Sequence, residues 1–374
     1  MVLVFTVVVG NAQIVTIPDA NFKAKLLAAD NLNGIALDAF ANSIKIDTND
    51  NGQIEESEAL TVVSLYVSNS NIYDLSGIEN FANLKTFTCS NNLLTTLETS
   101  SLYNLQNLDC RYNELQVLNL NYLSNLQNLN CEFNQLTALD TSGLNNLQSI
   151  HCSNNQLSSL NIQGMGNLIE LYCDYNHLTT LNANDLDNLL YLSCIYNELT
   201  TLMLHNLNNL QRLECRNNQL TTLDLSNSIH MEFVGCQYNN QLTSLYLKNG
   251  ANESLNANHS LNISYVCADD FQIWEIQSRV PSGCTINSDC NLGTSEVNHL
   301  VNKIRIYPNP TKNIMNIGCN DYINSISIYN TQGQLWQINA NPTETIDVSG
   351  LKTGTYFIKI ISDKGTASSK FLKE

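Results

Sequence analysis

Eight cysteines, Cys89, Cys110, Cys131, Cys152, Cys173, Cys194, Cys215 and Cys236, recur every 21 residues without a slip. Each sits in the frame L-x-x-L-x-C-x-x-N-x-L, with occasional apolar replacements for leucine and, after Cys236, the last leucine one place late. A chain with this period cannot fold around one central core. Every turn carries the same short apolar segment and can bury it only against the turns before and after it. The repeat region must therefore stack as a solenoid.

The period holds at positions other than cysteine, so it belongs to a whole turn and not to a metal or disulfide spacing. Three residues after each cysteine stand Asn92, Asn113, Asn134, Asn155, Asn176, Asn197, Asn218 and Asn239. An asparagine at a bend supplies both a donor and an acceptor for backbone groups that the bend leaves unpaired, and this column is assigned to architecture. Apolar residues two and five positions before the cysteine, such as Leu108 and Leu105, alternate with polar ones, as a half-buried strand requires. Those five and eight positions after it, such as Leu115 and Leu118, carry the chain back across the convex side. The frame resembles the leucine-rich repeat, which implies a β-rich superhelix with one concave strand per turn.

Twelve cysteines invite a redox or metal reading. Zinc-binding cysteines come as close pairs, and the chain has no C-x-x-C. In a parallel, in-register stack, equivalent cysteines lie about 4.8 Å apart. That suits a disulfide at Cα but leaves the Cβ atoms slightly too far apart. A buried column of free thiols acting as small apolar residues is expected. Cys267, Cys284 and Cys290 lie outside the column, and a bridge between Cys267 and Cys290 would close the end of the solenoid.

The formal charge of −17 is uneven, with residues 303–374 at +3 and everything before them at −20. An acidic solenoid lacks the basic stripe that nucleic acid requires. Val2 to Val9 is apolar apart from Thr6 and is followed by small residues to Ala12, so residues 1–12 read as a secretion signal without its charged front. Translation is then expected to start upstream of Met1, or the sequence to be a fragment. No other segment reaches the length of a membrane span.

Residues 13–61 have a different pattern, with helical spacing at 21–29 and 35–44, and are expected to cap the solenoid. Within them, Asp47 to Glu58 matches D-x-[DN]-x-[DN]-G-x-I-x-x-x-E at every position. The spacing points to calcium. Oxygens of Asp47, Asn49 and Asn51 converge, Gly52 permits the sharp turn, Gln53 offers its carbonyl and Glu58 can bind through both oxygens. Glu55 would act through water. Two neutral amides among the ligands predict modest affinity, suited to a structural ion in an extracellular cap.

Repeats are expected over 62–246, beginning with a 22-residue turn in which Val67 takes the cysteine place and Ser70 the asparagine place. That turn, LYVSNSNIYDLSGIENFANL, resembles internalin-type repeats. The following turns, such as CRNNQLTTLDLS, resemble the cysteine-bearing repeats of secreted Bacteroidetes proteins. After Tyr238 the register slips by one residue. Residues 247–290 are expected to form a terminal cap with Phe271, Ile273, Trp274 and Ile276 buried, and 291–302 a linker. From Lys303, strand runs separated by Asn, Gly and Pro predict a small immunoglobulin-like β-sandwich. The order IRIYPNPTKNIMNI, ISIYNTQGQLW, IDVSGLKTGTYFIKI, SSKFLKE resembles the C-terminal sorting domain of type IX secretion cargo. Its motifs here are Tyr307, Pro308, Asn309 and Pro310, then Gly354, Thr355 and Tyr356. The resemblance implies recognition by the type IX machinery and delivery to the outer cell surface or beyond.

Chemistry has little foothold in the repeats, since the six histidines are scattered and no G-x-S-x-G occurs. His151 is expected to be a solvated surface residue. The concave face is instead the expected recognition surface. Its side chains include Asp109, Arg111, Glu132, Glu170, Tyr172, Asp174, Tyr191, Arg212, Glu214 and Arg216. Tyrosine and arginine are enriched among residues that dominate binding energy. The aromatic column Tyr112, Phe133, Tyr175, Tyr196 and Tyr238 alternates with asparagine and reads as strand-edge packing. A secreted, non-enzymatic protein that binds a protein or surface polymer is the expected function. The alternative is a surface or matrix component in which the solenoid is mainly a spacer.

Overall fold

The computed structural model describes residues 13–290, 305–318, 323–330, 335–339, 345–362 and 365–374. The apolar run at 1–12 and the linker at 291–302 lie outside the described residues. The chain divides into two units, Met1–Cys290 and Asn291–Glu374.

The first unit is the solenoid. Ten strands of three residues, from Ser64–Tyr66 to Ser254–Asn256, pair in parallel to form the concave sheet. The strands are in register, with Leu108 beside Leu129 and Leu129 beside Ile150. The central residue of each strand is buried and its neighbours face outward, which is the period of two read from the sequence. Burying each such leucine contributes about 1.5–3 kcal/mol. All eight ladder cysteines are fully buried free thiols, and Val67 and Ala257 occupy the same column at its two ends.

The asparagine column explains how the turns lock. Asn113 Nδ2 donates to the carbonyls of Cys110 in its own turn and Cys89 in the turn before, at 3.0 and 3.1 Å. Its Oδ1 accepts from the Leu94 amide at 3.1 Å. Each later turn repeats the arrangement to Asn239, and there Ser260 ends the column by donating to the Cys236 carbonyl at 2.9 Å. A second asparagine column, unremarked in the sequence, stands six residues before the cysteines from Cys110 to Cys215. Asn104, Asn125, Asn146, Asn167, Asn188 and Asn209 each donate to a carbonyl 22 residues back, at 2.7–3.0 Å.

The N-terminal cap is fastened by Asp19, which is fully buried. One carboxylate oxygen accepts from the amides of Asn21 and Phe22, starting the helix Ala20–Leu27. The other accepts from the amides of Tyr73 and Asp74 in the first repeat. Gly77 lets this junction close, because at its φ of 104° a Cβ would lie 2.8 Å from the Thr16 carbonyl oxygen. The segment 35–44 is not helical, contrary to its spacing. It holds the strand Ala36–Leu37, which pairs antiparallel with Ser64–Tyr66 and starts the concave sheet. The pull of an open sheet edge outweighs a local period here.

The expected cap at 247–290 is also corrected, because stacking continues through it. Ser254–Asn256 extends the concave sheet, while Tyr265–Cys267 and Thr285–Asn287 extend a parallel convex sheet begun by Thr222–Asp224 and Ser244–Tyr246. Cys267 and Cys290 form a disulfide with Cα atoms 4.9 Å apart, and Cys284 is free. Ile276 is buried, but Phe271 and Trp274 are exposed at 52% and 76%. Their helix, Ile273–Ile276, has a single turn and buries the side carrying Ile276, next to the buried Gln272, which is bonded to Glu253 at 3.0 Å.

The second unit has a three-stranded sheet, with Ile314–Gly318 between Arg305–Tyr307 and Thr345–Asp347, and a four-stranded sheet. The latter runs in the order Leu335–Asn339, Ile323–Asn330, Gly354–Ser362, Gly365–Lys373, all antiparallel. Met315, Ile317, Ile326, Ile328, Ile346, Ile358 and Phe371 form its core. This is the expected β-sandwich.

Candidate functional site

The concave face carries the ten predicted binding residues, eight of them in two groups. In the first, Arg111 Nε lies 3.3 Å from Asp109 Oδ2, and Glu132 bonds Asn130. Asp109 lines a shallow depression of about 200 Å³ with Asn107, Asn128, Asn130 and His151. Burial pushes its carboxyl up, with the Arg111 amide and charge opposing.

The second group surrounds Ser193. Tyr172, Asp174, Tyr191, Arg212 and Glu214 line a depression of about 220 Å³ there. Asp174 accepts from the Ser193 hydroxyl at 2.6 Å and the Ile195 amide at 2.7 Å. Arg212 donates to Glu214 at 2.7 Å and lies 4.4 Å from the centre of the Phe233 ring. Gly235 leaves room for the Glu214 side chain in this position, because a Cβ there would lie 2.2 Å from Glu214 Oε2 and move it. Ser193 and Gly235 were not among the predicted residues. Their signal was available as small exceptions in a column of larger side chains such as Asp109, His151, Tyr172 and Glu214.

Glu170 and Arg216 stand apart from both depressions. Glu170 approaches His151 Nε2 at 3.6 Å, and the Arg216 Nε is buried without a hydrogen-bond partner. His151 is half-buried rather than freely solvated. Its ring packs edge-on against Tyr172 at 4.6 Å, and its Nε2 is buried and unbonded. The aromatic column packs in pairs, with Tyr112 on Phe133 at 4.3 Å, Tyr175 on Tyr196 at 4.6 Å and Tyr238 on His259 at 4.7 Å.

The loop 47–58 has the donor chemistry of a hard-cation site, with its oxygens engaged internally. Asp47 accepts from the amides of Asn51 and Gly52, at 3.1 and 3.0 Å, and Asn49 accepts from the Asn51 amide at 3.0 Å. Gly52 has a φ of 73°. The side-chain amides of Asn49 and Asn51 donate to Glu55, at 3.2 and 2.7 Å. Glu58 accepts from Thr48 and from the Glu55 amide, capping the helix Glu56–Ala59. Gln53 turns its side chain to Lys23, and Lys45 pairs with Asp50. Asp47, Glu55 and Glu58 are buried carboxylates with no salt bridge among the described residues. Among the described residues no cluster of three or more His, Cys, Asp or Glu is gathered at metal-binding distance. The residue types fit calcium, whose shell would take oxygens that are now bonded within the loop.

In the second unit, the two sorting motifs meet at the last strand. Asn309 donates to the Lys370 carbonyl at 3.2 Å and accepts from the Leu372 amide at 2.9 Å. Gly354, Thr355 and Tyr356 pair with Lys373, Leu372 and Phe371 of the same strand. The Tyr356 and Phe371 rings are 5.7 Å apart.

Residues 305–374 match the secretion system C-terminal sorting domain. Residues 49–155 match the leucine-rich repeat domain of the endo-beta-N-acetylglucosaminidase EndoS. No curated protein matches the chain. Among solved structures, the functional domain of InlJ from Listeria monocytogenes, which includes a cysteine ladder, is 19% identical, with 94% of this chain and 98% of that one covered at a TM-score of 0.35. A leucine-rich repeat protein of Leptospira interrogans is 23% identical, covering 56% of this chain and 62% of that one at a TM-score of 0.40. Internalin InlF of Listeria monocytogenes is 18% identical, covering 74% and 96% at a TM-score of 0.40. No described helix is long and apolar enough to cross a membrane. The tail assigns the chain to type IX secretion, to the cell surface or the extracellular space. The chain is a leucine-rich repeat protein carrying a C-terminal secretion-system sorting domain.

Proposed function

We propose that the solenoid is a non-enzymatic recognition module, exported by its C-terminal domain, whose concave face binds a protein or surface polymer in an adhesive role. The observation that carries this reading is the group around Ser193. The buried columns of the solenoid repeat one residue type for structural reasons, whereas Tyr172, Tyr191 and Arg212 stand in outward columns where the neighbouring turns carry other side chains. Large aromatic and guanidinium groups in such places contribute to binding more than to folding. The test is capture of cells or surface polymers by the protein and by a Tyr172→Ala/Tyr191→Ala/Arg212→Ala variant. Loss of capture with retained thermal stability supports recognition. Unchanged capture sinks it and leaves the spacer role.

We also propose calcium as a structural ion of the N-terminal cap. Asp47, Asn49, Asn51, the Gln53 carbonyl and Glu58 would hold it, with Glu55 acting through water. The ion would supply positive charge to three buried carboxylates that form no salt bridge among the described residues.

A further inference from the structure

One part of the recognition surface has the chemistry of a specific side-chain pocket, and this inference rests on the reading of the concave face given above. In the column one residue before each cysteine, Ser193 is the short side chain between Tyr172 and Glu214. Its hydroxyl is spent on Asp174 at 2.6 Å, so the space above it is open. The depression of about 220 Å³ is bounded by the rings of Tyr172 and Tyr191 and by the carboxylates of Asp174 and Glu214.

The charges in it do not cancel. Arg212 is the lining cation, and it is already committed to Glu214 at 2.7 Å and to the Phe233 ring. Asp174 has no cationic partner among the described residues. One of its oxygens, Oδ1, takes both the Ser193 hydroxyl and the Ile195 amide, which leaves Oδ2 without a hydrogen-bond donor. Burial holds this carboxyl above its usual range. The bonds from Ser193 and Ile195 oppose that rise, and the nearby charges of Glu132 and Glu214 add to it. A partly desolvated, unpaired carboxylate gains most from a cation that also brings hydrogen-bond donors.

We propose that this depression takes the guanidinium of an arginine side chain presented by a protein partner, seated over Ser193 against Tyr172 and Tyr191 and donating to Asp174. Arginine fits better than lysine because its planar group stacks on tyrosine while its edge serves a carboxylate. The wider surface favours a basic partner too, since residues 1–302 hold 29 Asp or Glu against 9 Lys or Arg.

The test is fluorescence anisotropy of a labelled tetra-arginine peptide with the full chain at physiological salt. Asp174→Asn should weaken binding about tenfold. Ser193→Tyr, which fills the space without changing charge, should do the same. The frame accepts a tyrosine in that column, as Tyr172 shows one turn earlier. A tetra-lysine peptide should bind several-fold more weakly. Asp187→Asn, at an exposed acid outside the depression, should leave affinity unchanged. Equal losses for Asp174→Asn and Asp187→Asn would show that net charge alone holds the peptide and would overturn the proposal. Unchanged binding by Ser193→Tyr with a native melting curve would overturn it as well. If capture of cells or polymers is lost in the Tyr172→Ala/Tyr191→Ala/Arg212→Ala variant yet kept by Asp174→Asn and Ser193→Tyr, the recognition reading stands and the arginine pocket fails.

Discussion

Asn134 reaches back one full turn to Cys110, donating from Nδ2 to its carbonyl at 3.1 Å while the same nitrogen serves the carbonyl of Cys131. Its Oδ1 holds the Leu115 amide at 3.0 Å. The side chain thus ties together backbone groups of two turns in a place that water does not reach. Asn134→Ala leaves the buried Leu115 amide unpaired and takes one of two donors from each carbonyl, since Asn113 still serves Cys110 and Asn155 still serves Cys131, and should cost about 1–3 kcal/mol. Asn125→Ala in the second column breaks one bond, to the Tyr103 carbonyl, at an exposed site where water replaces it, and should cost under about 0.5 kcal/mol. Urea unfolding of the two variants checks the contrast, and equal losses would refute the division of labour between the columns.

The ladder cysteines should be chemically silent in the folded protein. Burial raises every one of these thiols, Cys236 from 9.0 to about 12. A thiol reagent attacks the thiolate, so at mildly alkaline pH only Cys284 among the nine described free thiols should react. Cys319 lies outside the described residues, so the titration uses Cys319→Ser, with all nine thiols reacting after denaturation. The pH dependence follows in sign. The folded state keeps the Cys236 proton that the unfolded chain releases, so this contribution is fully present below pH 9.0 and is lost as pH rises toward about 12. Stability that rose with pH over that interval would contradict it.

The fold was legible where a local rule repeats. Cysteine, asparagine and leucine columns each report one buried slot, and the structure fills those slots with these residues. Legibility failed where the decisive partner is distant in sequence. Ala36 is a strand because Leu65 lies beside it, and nothing within 35–44 says so. Asp19 binds amides 54 and 55 residues away. At the site, the outward residues could be read from the strand period, but not their grouping. The depression around Ser193 depends on a short side chain in one turn lying between longer ones in its neighbours, and this becomes visible only when the turns are stacked.

Calcium should stabilise the cap if the loop 47–58 holds it. Binding only to the folded state adds about 2.7 kcal/mol at one hundred times the dissociation constant. The full chain should therefore melt higher in saturating calcium than in chelator, and Asp47→Ala should abolish the difference. Asp47 also accepts two backbone amides, so this variant loses some stability without the ion. The readout is therefore the calcium-dependent shift within each variant and not its melting point in chelator; Glu58→Gln, which removes the charge and keeps an oxygen for one of the Thr48 and Glu55 amides, should lose that shift as well. Identical melting curves for the unaltered chain with and without calcium would discard the ion.

The stacked pair Tyr175 and Tyr196 sets ring contact against backbone strain. The rings lie 4.6 Å apart and nearly parallel at 14°, yet both residues have a φ of 51°, a conformation that disfavours side chains. Asparagine, which tolerates it, holds the same place at Asn154 and Asn217, where φ is 57° and 56°. Removing the ring forfeits about 0.5–1.5 kcal/mol of stacking. Tyr175→Ala loses that contact and keeps the strained backbone. Tyr175→Gly loses the same contact but relieves a strain of about 1–2 kcal/mol, partly offset by the greater freedom of glycine in the unfolded chain. Glycine should therefore destabilise less than alanine, the reverse of their order in a strand or helix. Denaturation of the two variants decides it. A larger loss for glycine would mean that the turn imposes no strain and that stacking alone accounts for the aromatic column.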